Sequence, residues 1–122
     1  MLQDLKERRN NMIFFKNTVS PDNDKVIFFQ ALDGEESIGR CTLVLEEKYA
    51  NITELTYKAD FAGEGLIKSA FNYACLKNYY MGRCTAENAD KLLIKAGFQK
   101  VNGVYENDIP TILMGSCSGC NK

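Results

Sequence analysis

Histidine is absent from the 122-residue sequence. Its absence excludes catalytic triads and dyads that need an imidazole, and it excludes every zinc site built from Cys and His together. Long apolar runs are lacking too: none approaches the ~20 residues that span a bilayer, and the polar N-terminus does not resemble a signal peptide. We therefore expect a cytoplasmic protein with no membrane partner.

The sequence also lacks an excess of positive charge. Its formal net charge is -1 at pH 7, so it offers no electrostatic footprint for nucleic acid. The five cysteines are odd in number and scattered, which indicates reduced thiols rather than a disulfide framework. The composition suits one globular domain, which we assign to residues 1–116, followed by a short Cys-x-x-Cys tail at 117–122.

Apolar alternation and turn signals predict four strands in the first half of the chain. A short helix over Met1–Asn11 is expected to precede them, and a turn is expected over Asn17–Asp24. The predicted strands are Met12–Phe15, Lys25–Leu32, Ser37–Glu46 and Asn51–Asp60.

The second half changes to a helical spacing of apolar residues. It predicts a helix over Leu66–Asn78, a strand over Tyr79–Cys84 and a second helix that Thr85 caps and Gly97 ends. Two closing strands are expected at Gln99–Glu106 and Thr111–Gly115. This order predicts an α/β (α+β) fold in which helices pack on one mixed sheet.

A pair of glycines stands where the fourth strand meets the first long helix. Gly63-Glu64-Gly65 leaves backbone N–H groups bare at the positive end of a helix dipole, and such a junction can cradle a phosphate. The alternative is a tight strand-to-helix turn with no ligand. The P-loop pattern and the third glycine of a dinucleotide fingerprint are both missing.

These segments together resemble the GCN5-related N-acetyltransferase (GNAT) superfamily. "ITELTYKADFAGEGLIKSAF" is similar to that family's strand, glycine-rich loop and helix, and "SIGRCTL" is similar to its preceding strand. "ENADKLLIKAGF" resembles the family's later helix, and "IPTILMGS" resembles its closing strand. The resemblance implies a mostly antiparallel sheet with a central strand-loop-helix motif for coenzyme A (CoA).

The resemblance also implies a function. It implies acetyl-CoA as co-substrate and transfer of its acetyl group to a small-molecule or peptide amine, with the diphosphate on the N–H groups of Gly63 to Lys68. The pantetheine arm would pair with exposed backbone near Tyr57 and Lys58, where the fourth and fifth strands diverge. The implied cofactor-binding residues are Tyr57, Lys58, Ala62, Gly63, Glu64, Gly65, Leu66, Ile67, Lys68 and Asn88.

Two residues are candidates for the chemistry. Glu54 lies where family members often place a base, and its alternative is a solvent-facing or salt-bridged glutamate. Cys84 ends the fifth strand and could serve as acid or nucleophile, or be a small buried hydrophobic residue.

The sequence departs from the family pattern in four places, one of which is Ile67, where the family's loop has a small residue. Ala62 stands where the family prefers Arg, and Leu93 stands where the family often has a tyrosine acid. The helical pair between the first two strands, which builds part of the acceptor wall, is missing. Two alternatives therefore stay open: a catalytically degenerate module that binds CoA or a partner, and a thiol or metal module using Cys117 and Cys120. Oligomer formation is also open.

Overall fold

A seven-stranded mixed sheet forms the centre of the protein. The structure, a computed structural model, describes residues 13–87 and 89–115. The strand order is β1-β2-β3-β4-β5-β7-β6, and every neighbouring pair is antiparallel except β4 and β5, which are parallel. The strands are β1 Ile13–Val19, β2 Val26–Asp33, β3 Glu36–Leu45, β4 Tyr49–Tyr57, β5 Met81–Cys84, β6 Gln99–Val101 and β7 Val104–Asp108. The predicted fold class is confirmed.

The core lies on one face of this sheet. In β2 the residues Ile27, Phe29 and Ala31 are buried, whereas Phe28 between them is 45% exposed, as period-2 alternation requires. The ring of Phe29 meets the ring of Tyr73, in the long helix, edge to face at 5.9 Å. In the described residues no helix lies between β1 and β2, and within that part of the chain side chains on the opposite face, such as Phe14 and Phe28, are exposed; we call this face the bare face.

Three helices occur in residues 13–87 and 89–115: α1 Asp60–Leu76, α2 Asp90–Lys95 and α3 Ile109–Gly115. None of them is long and apolar enough to cross a membrane. Helix α1 buries the predicted stripe that includes Ile67, Ala70 and Phe71. Gly97 follows α2 with a φ of +103°, the left-handed conformation expected where that helix ends.

The structure corrects the predicted C-terminal strands in two ways. Gln99–Glu106 is not one strand but a hairpin of β6 and β7, because Asn102 and Gly103 both adopt positive φ angles in a tight turn. Thr111–Gly115 belongs to helix α3 rather than to a strand. The Asp108 carboxylate accepts the Thr111 N–H at 3.0 Å and so caps this helix. Hydrogen bonds from the Thr111 hydroxyl and from its N–H lower the pKa of Asp108.

Several further boundaries differ from prediction. Helix α2 begins at Asp90 with Ala89 at its N-cap, so the predicted Thr85 cap is wrong, and β4 ends at Tyr57 instead of Asp60. β1 runs on to Val19 instead of ending at Phe15, so the turn before β2 is shorter than expected. Helix α1 begins at Asp60, six residues before the predicted Leu66, and therefore contains the segment that was expected to be a glycine loop. The predicted N-terminal helix and the Cys-x-x-Cys tail lie outside the described residues.

Candidate active site

Strands β4 and β5 diverge at the centre of the sheet. They pair only from Tyr49↔Met81 to Ile52↔Cys84, and the Thr85 N–H then donates to the Ile52 carbonyl at 2.9 Å. β4 continues to Tyr57 while β5 has ended. The edge of β4 that faces β5 therefore has no partner strand over its last residues in the part of the chain the structure describes.

The backbone of Tyr57 points into this divergence. The Lys58 N–H donates to the Ile38 carbonyl on β3 at 2.9 Å, and successive residues of a strand direct their backbone groups to opposite sides. The N–H and C=O of Tyr57 are thus directed away from β3, as a pantetheine arm would require. The predicted contact at Lys58 is corrected, because its N–H is already bonded and its ammonium pairs with Glu36 at 2.8 Å.

A cleft of about 640 Å³ opens beside the divergence. Its lining residues are Tyr57, Asp60, Ala89, Asp90, Lys91, Leu92 and Lys95. Burial, together with the carboxylate of Asp60, raises the pKa of the Tyr57 phenol, which is therefore a hydrogen-bond donor at neutral pH. The sequence predicts a role for the backbone of Tyr57 only, and no sequence pattern indicates that its phenol donates a hydrogen bond in the cleft.

The charges around the cleft do not favour a diphosphate. The carboxylates of Asp60 and Asp90 line it, and the Lys95 ammonium is held by Glu64 at 2.7 Å. This ion pair raises the pKa of Lys95. Lys91 is the one cation lining the cleft that makes no ion pair within the described residues.

The amides predicted to cradle a diphosphate are bonded within helix α1. The Gly63 N–H donates to the Ala59 carbonyl at 3.2 Å, and each later N–H in the helix has the carbonyl four residues before it. At the start of α1, only the first N–H groups, those of Asp60 and Phe61, lack such partners. The predicted cradle from Gly63 to Lys68 is therefore corrected.

The two glycines allow close packing rather than ligand approach. A Cβ added at Gly63 would collide with Leu92 and would lie 2.9 Å from Cγ of Tyr57. A Cβ added at Gly65 would collide with the ring of Phe15, which covers the helix there. The ligand-free alternative explains both glycines.

The other residues predicted to contact the diphosphate are buried, engaged by another side chain, distant from the start of α1, or outside the described residues. Ala62, Leu66 and Ile67 are fully or almost fully buried and cannot reach a ligand, and Glu64 is engaged by Lys95. Lys68 is exposed but lies two helical turns beyond the start of α1. Asn88 lies outside the described residues.

The two predicted catalytic residues occupy different environments. Glu54 is exposed on the bare face of the sheet, where its carboxylate accepts the Thr42 hydroxyl at 3.0 Å. Cys84 is 1% exposed, and burial raises the pKa of its thiol to about 11. A thiol in that state is a poor nucleophile at neutral pH, so its burial favours the packing alternative.

The structure is similar to solved N-acetyltransferases. A protein described as a GNAT-family acetyltransferase from Desulfovibrio desulfuricans matches with a TM-score of 0.65 and 10% identity, over 80% of this chain and 99% of that one. An N-acetyltransferase from Staphylococcus aureus Mu50 matches with a TM-score of 0.64 and 16% identity, over 81% and 99%. PaiA N-acetyltransferase from Thermoplasma acidophilum, in complex with coenzyme A, matches with a TM-score of 0.56 and 17% identity, over 88% and 68%.

These likenesses show that the chain has the GNAT acetyltransferase fold. No family model matches the sequence, and a comparison with curated proteins found no similar sequence either. At identities of 10% to 17% the shared property is the fold, and the activity has to be argued from this chain's own residues.

Proposed function

We propose that this protein is an N-acyltransferase that takes an acyl group from the thioester of a pantetheine arm, as in acetyl-CoA, and transfers it to an amine. The observation that carries the proposal is the divergence of β4 and β5, where the backbone of Tyr57 is directed away from β3 and Tyr57 lines an open cleft. When bound, the thioester supplies an activated acyl carbon that bonds to the amine nitrogen while the C–S bond breaks and the thiol leaves with the amine proton.

Three groups of this chain have roles in the proposal. The backbone of Tyr57 orients the arm by strand-like hydrogen bonds, and its phenol is a donor for the departing sulfur. Glu54, held by Thr42, takes the proton from the amine directly or through water. Positioning supplies most of the acceleration, because holding two reactants in place removes an entropic barrier.

The residues present fit the arm better than the nucleotide. The cleft offers free strand backbone to the arm, whereas its acidic residues and the occupied amides of α1 offer little to a diphosphate. We therefore expect acetyl-pantetheine to bind within about tenfold of acetyl-CoA, a difference of ~1.4 kcal/mol or less.

Titration followed by amide NMR tests this proposal. Acetyl-CoA should shift the amides of Thr53–Tyr57 and Ala89–Leu92, while the β6–β7 hairpin serves as an internal control and stays unchanged. Release of free thiol over a panel of amines then measures transfer. No shift at millimolar ligand would refute binding in the cleft, and a large preference for acetyl-CoA would restore a diphosphate contact at α1.

A degenerate binding module is the second candidate. Leu93, which stands where the family often has a tyrosine acid, has an aliphatic side chain with no proton to donate, and it is completely buried in the core. Thioester binding without thiol release on any amine would favour this candidate. The role of Cys117 and Cys120, the oligomeric state and the cytoplasmic location stay predictions.

A further inference from the structure

We infer that the acceptor amine carries its own carboxylate, as a free amino acid does, and binds on the bare face of the sheet. This inference rests on the proposed function and names its substrate class. The surface concerned is formed by alternate residues of β1 to β4 on the face opposite α1, and we call it the acceptor face.

Two rows of side chains cross the acceptor face in register. The first row follows the pairs Lys16↔Gln30, Gln30↔Arg40 and Arg40↔Thr56. The second row follows Thr18↔Phe28, Phe28↔Thr42 and Thr42↔Glu54. The rows are two residues apart along each strand, about 7 Å.

A cavity of about 270 Å³ lies over these rows. Its volume is just below the ~300 Å³ at which pockets for drug-sized ligands begin, so it suits a compact ligand. The residues that line it are Lys16, Thr18, Phe28, Phe29, Gln30, Arg40, Cys41, Thr42 and Glu54.

Charge is separated within this cavity. The first row holds the cations Lys16 and Arg40, and neither makes an ion pair with an acidic side chain of the described residues. The second row holds one carboxylate, Glu54, which accepts a hydrogen bond from the Thr42 hydroxyl. A molecule with an ammonium at Glu54 and a carboxylate at Arg40 matches both rows, and guanidinium is the cation best shaped for a carboxylate.

The same charges select against other amines. A polyamine or an aminoglycoside carries several cations, and Lys16 and Arg40 would repel them where only one carboxylate could compensate. Glu54 lies on β4 beyond the last pair with β5, Ile52↔Cys84, and on the face opposite the Tyr57 ring. The amine would therefore reach a thioester held in the cleft through the gap between β4 and β5.

A matched set of acceptors tests the inference. Leucine, its methyl ester and 3-methylbutylamine share one side chain and differ in the carboxylate. We expect kcat/KM for thiol release to be at least about tenfold higher for leucine, since a charge-assisted hydrogen bond contributes that much or more. Arg40→Gln should abolish the preference, whereas Lys48→Gln, the same charge change in the β3–β4 turn, should retain it.

A second measurement does not depend on turnover. Leucine alone should shift amides of β2 to β4, and the ester and the amine should shift them less. Equal rates and equal shifts for all three compounds would overturn the inference and leave the proposed function standing. Shifts with leucine but no thiol release would support the acceptor site and refute transfer, and neither shifts nor release would overturn both.

Discussion

Because Phe15 packs on Gly65, the effect of Gly65→Ala on stability should change sign depending on whether residue 15 is Phe or Ala. Gly65 lies inside α1, and Phe15 on β1 covers it closely enough that a Cβ there would collide with the ring. Replacing Gly by Ala inside a helix stabilises by about 1 kcal/mol. In Gly65→Ala that gain is opposed, because the ring must move away.

The opposing term follows from the burial of Phe15. Full burial of a Phe side chain contributes about 1.5–3 kcal/mol. Phe15 is 38% exposed, so displacing its ring forfeits some three-fifths of that value, about 1–2 kcal/mol. Gly65→Ala alone should therefore lower the free energy of unfolding by about 0–1 kcal/mol.

In the Phe15→Ala background the collision is gone and only the helical gain is left. Gly65→Ala should there raise the free energy of unfolding by about 1 kcal/mol, which gives a coupling energy of about 1–2 kcal/mol. Urea unfolding of the wild type, both single variants and the double variant gives the four free energies of unfolding that the double-mutant cycle needs. Equal effects of Gly65→Ala in both backgrounds would refute the packing of Phe15 on Gly65.

Three other predictions concern the chemistry and the buried thiols. Tyr57→Phe keeps the ring over Gly63 and should leave stability and thioester binding intact while lowering thiol release about a hundredfold; an unchanged rate would remove the phenol from the proposal. Glu54→Gln should also lower transfer about a hundredfold, with Glu47→Gln as the exposed control, and a normal rate in the first variant would exclude Glu54 as base. Burial raises the pKa of Cys84 from 9.0 to about 11, so as the pH rises the thiol loses its proton in the unfolded state before it does so in the folded state. The contribution of Cys84 to the free energy of unfolding is therefore complete below pH 9, and about 1–3 kcal/mol of it is lost between pH 9 and 11. The pKa of the buried Cys41 thiol is also raised and adds its own slope, so Cys84→Ala should make the dependence of urea-derived stability on pH less steep without removing it. A profile as steep as wild type would contradict the burial of Cys84.

Local patterns were enough to predict much of the sheet and the long helix. Strand β2 matches its prediction to within one residue at each end, because alternation of large apolar residues leaves little freedom over which face is buried. The stripe of α1 was predictable for the same reason, with helical spacing. These features depend on residues close together in the sequence.

The errors fall where the deciding partner is distant in the sequence. The residues next to Gly65 in the sequence do not indicate that Phe15, on the edge strand β1, covers it. A glycine that allows packing and a glycine that binds phosphate therefore have the same local sequence pattern. The composition of Thr111–Gly115 predicts a strand, yet the Asp108 cap and the packing of the fully buried Ile109 and Ile112 place this segment in a helix. Tertiary contacts override propensity in both cases.

The bare face of the sheet has a consequence for how an acceptor would be recognised. Within the described residues no helical pair stands over β1 to β4, and the side chains available there to recognise an acceptor are those that the strands present. Strand register fixes these side chains about 4.8 Å apart across the sheet, which makes their arrangement rigid. Alternate residues of four strands therefore set the charge pattern that an acceptor must match. Gln30→Glu, which places a carboxylate next to Arg40, should weaken leucine binding in the amide titration, whereas wild-type affinity in this variant would contradict a carboxylate site at Arg40.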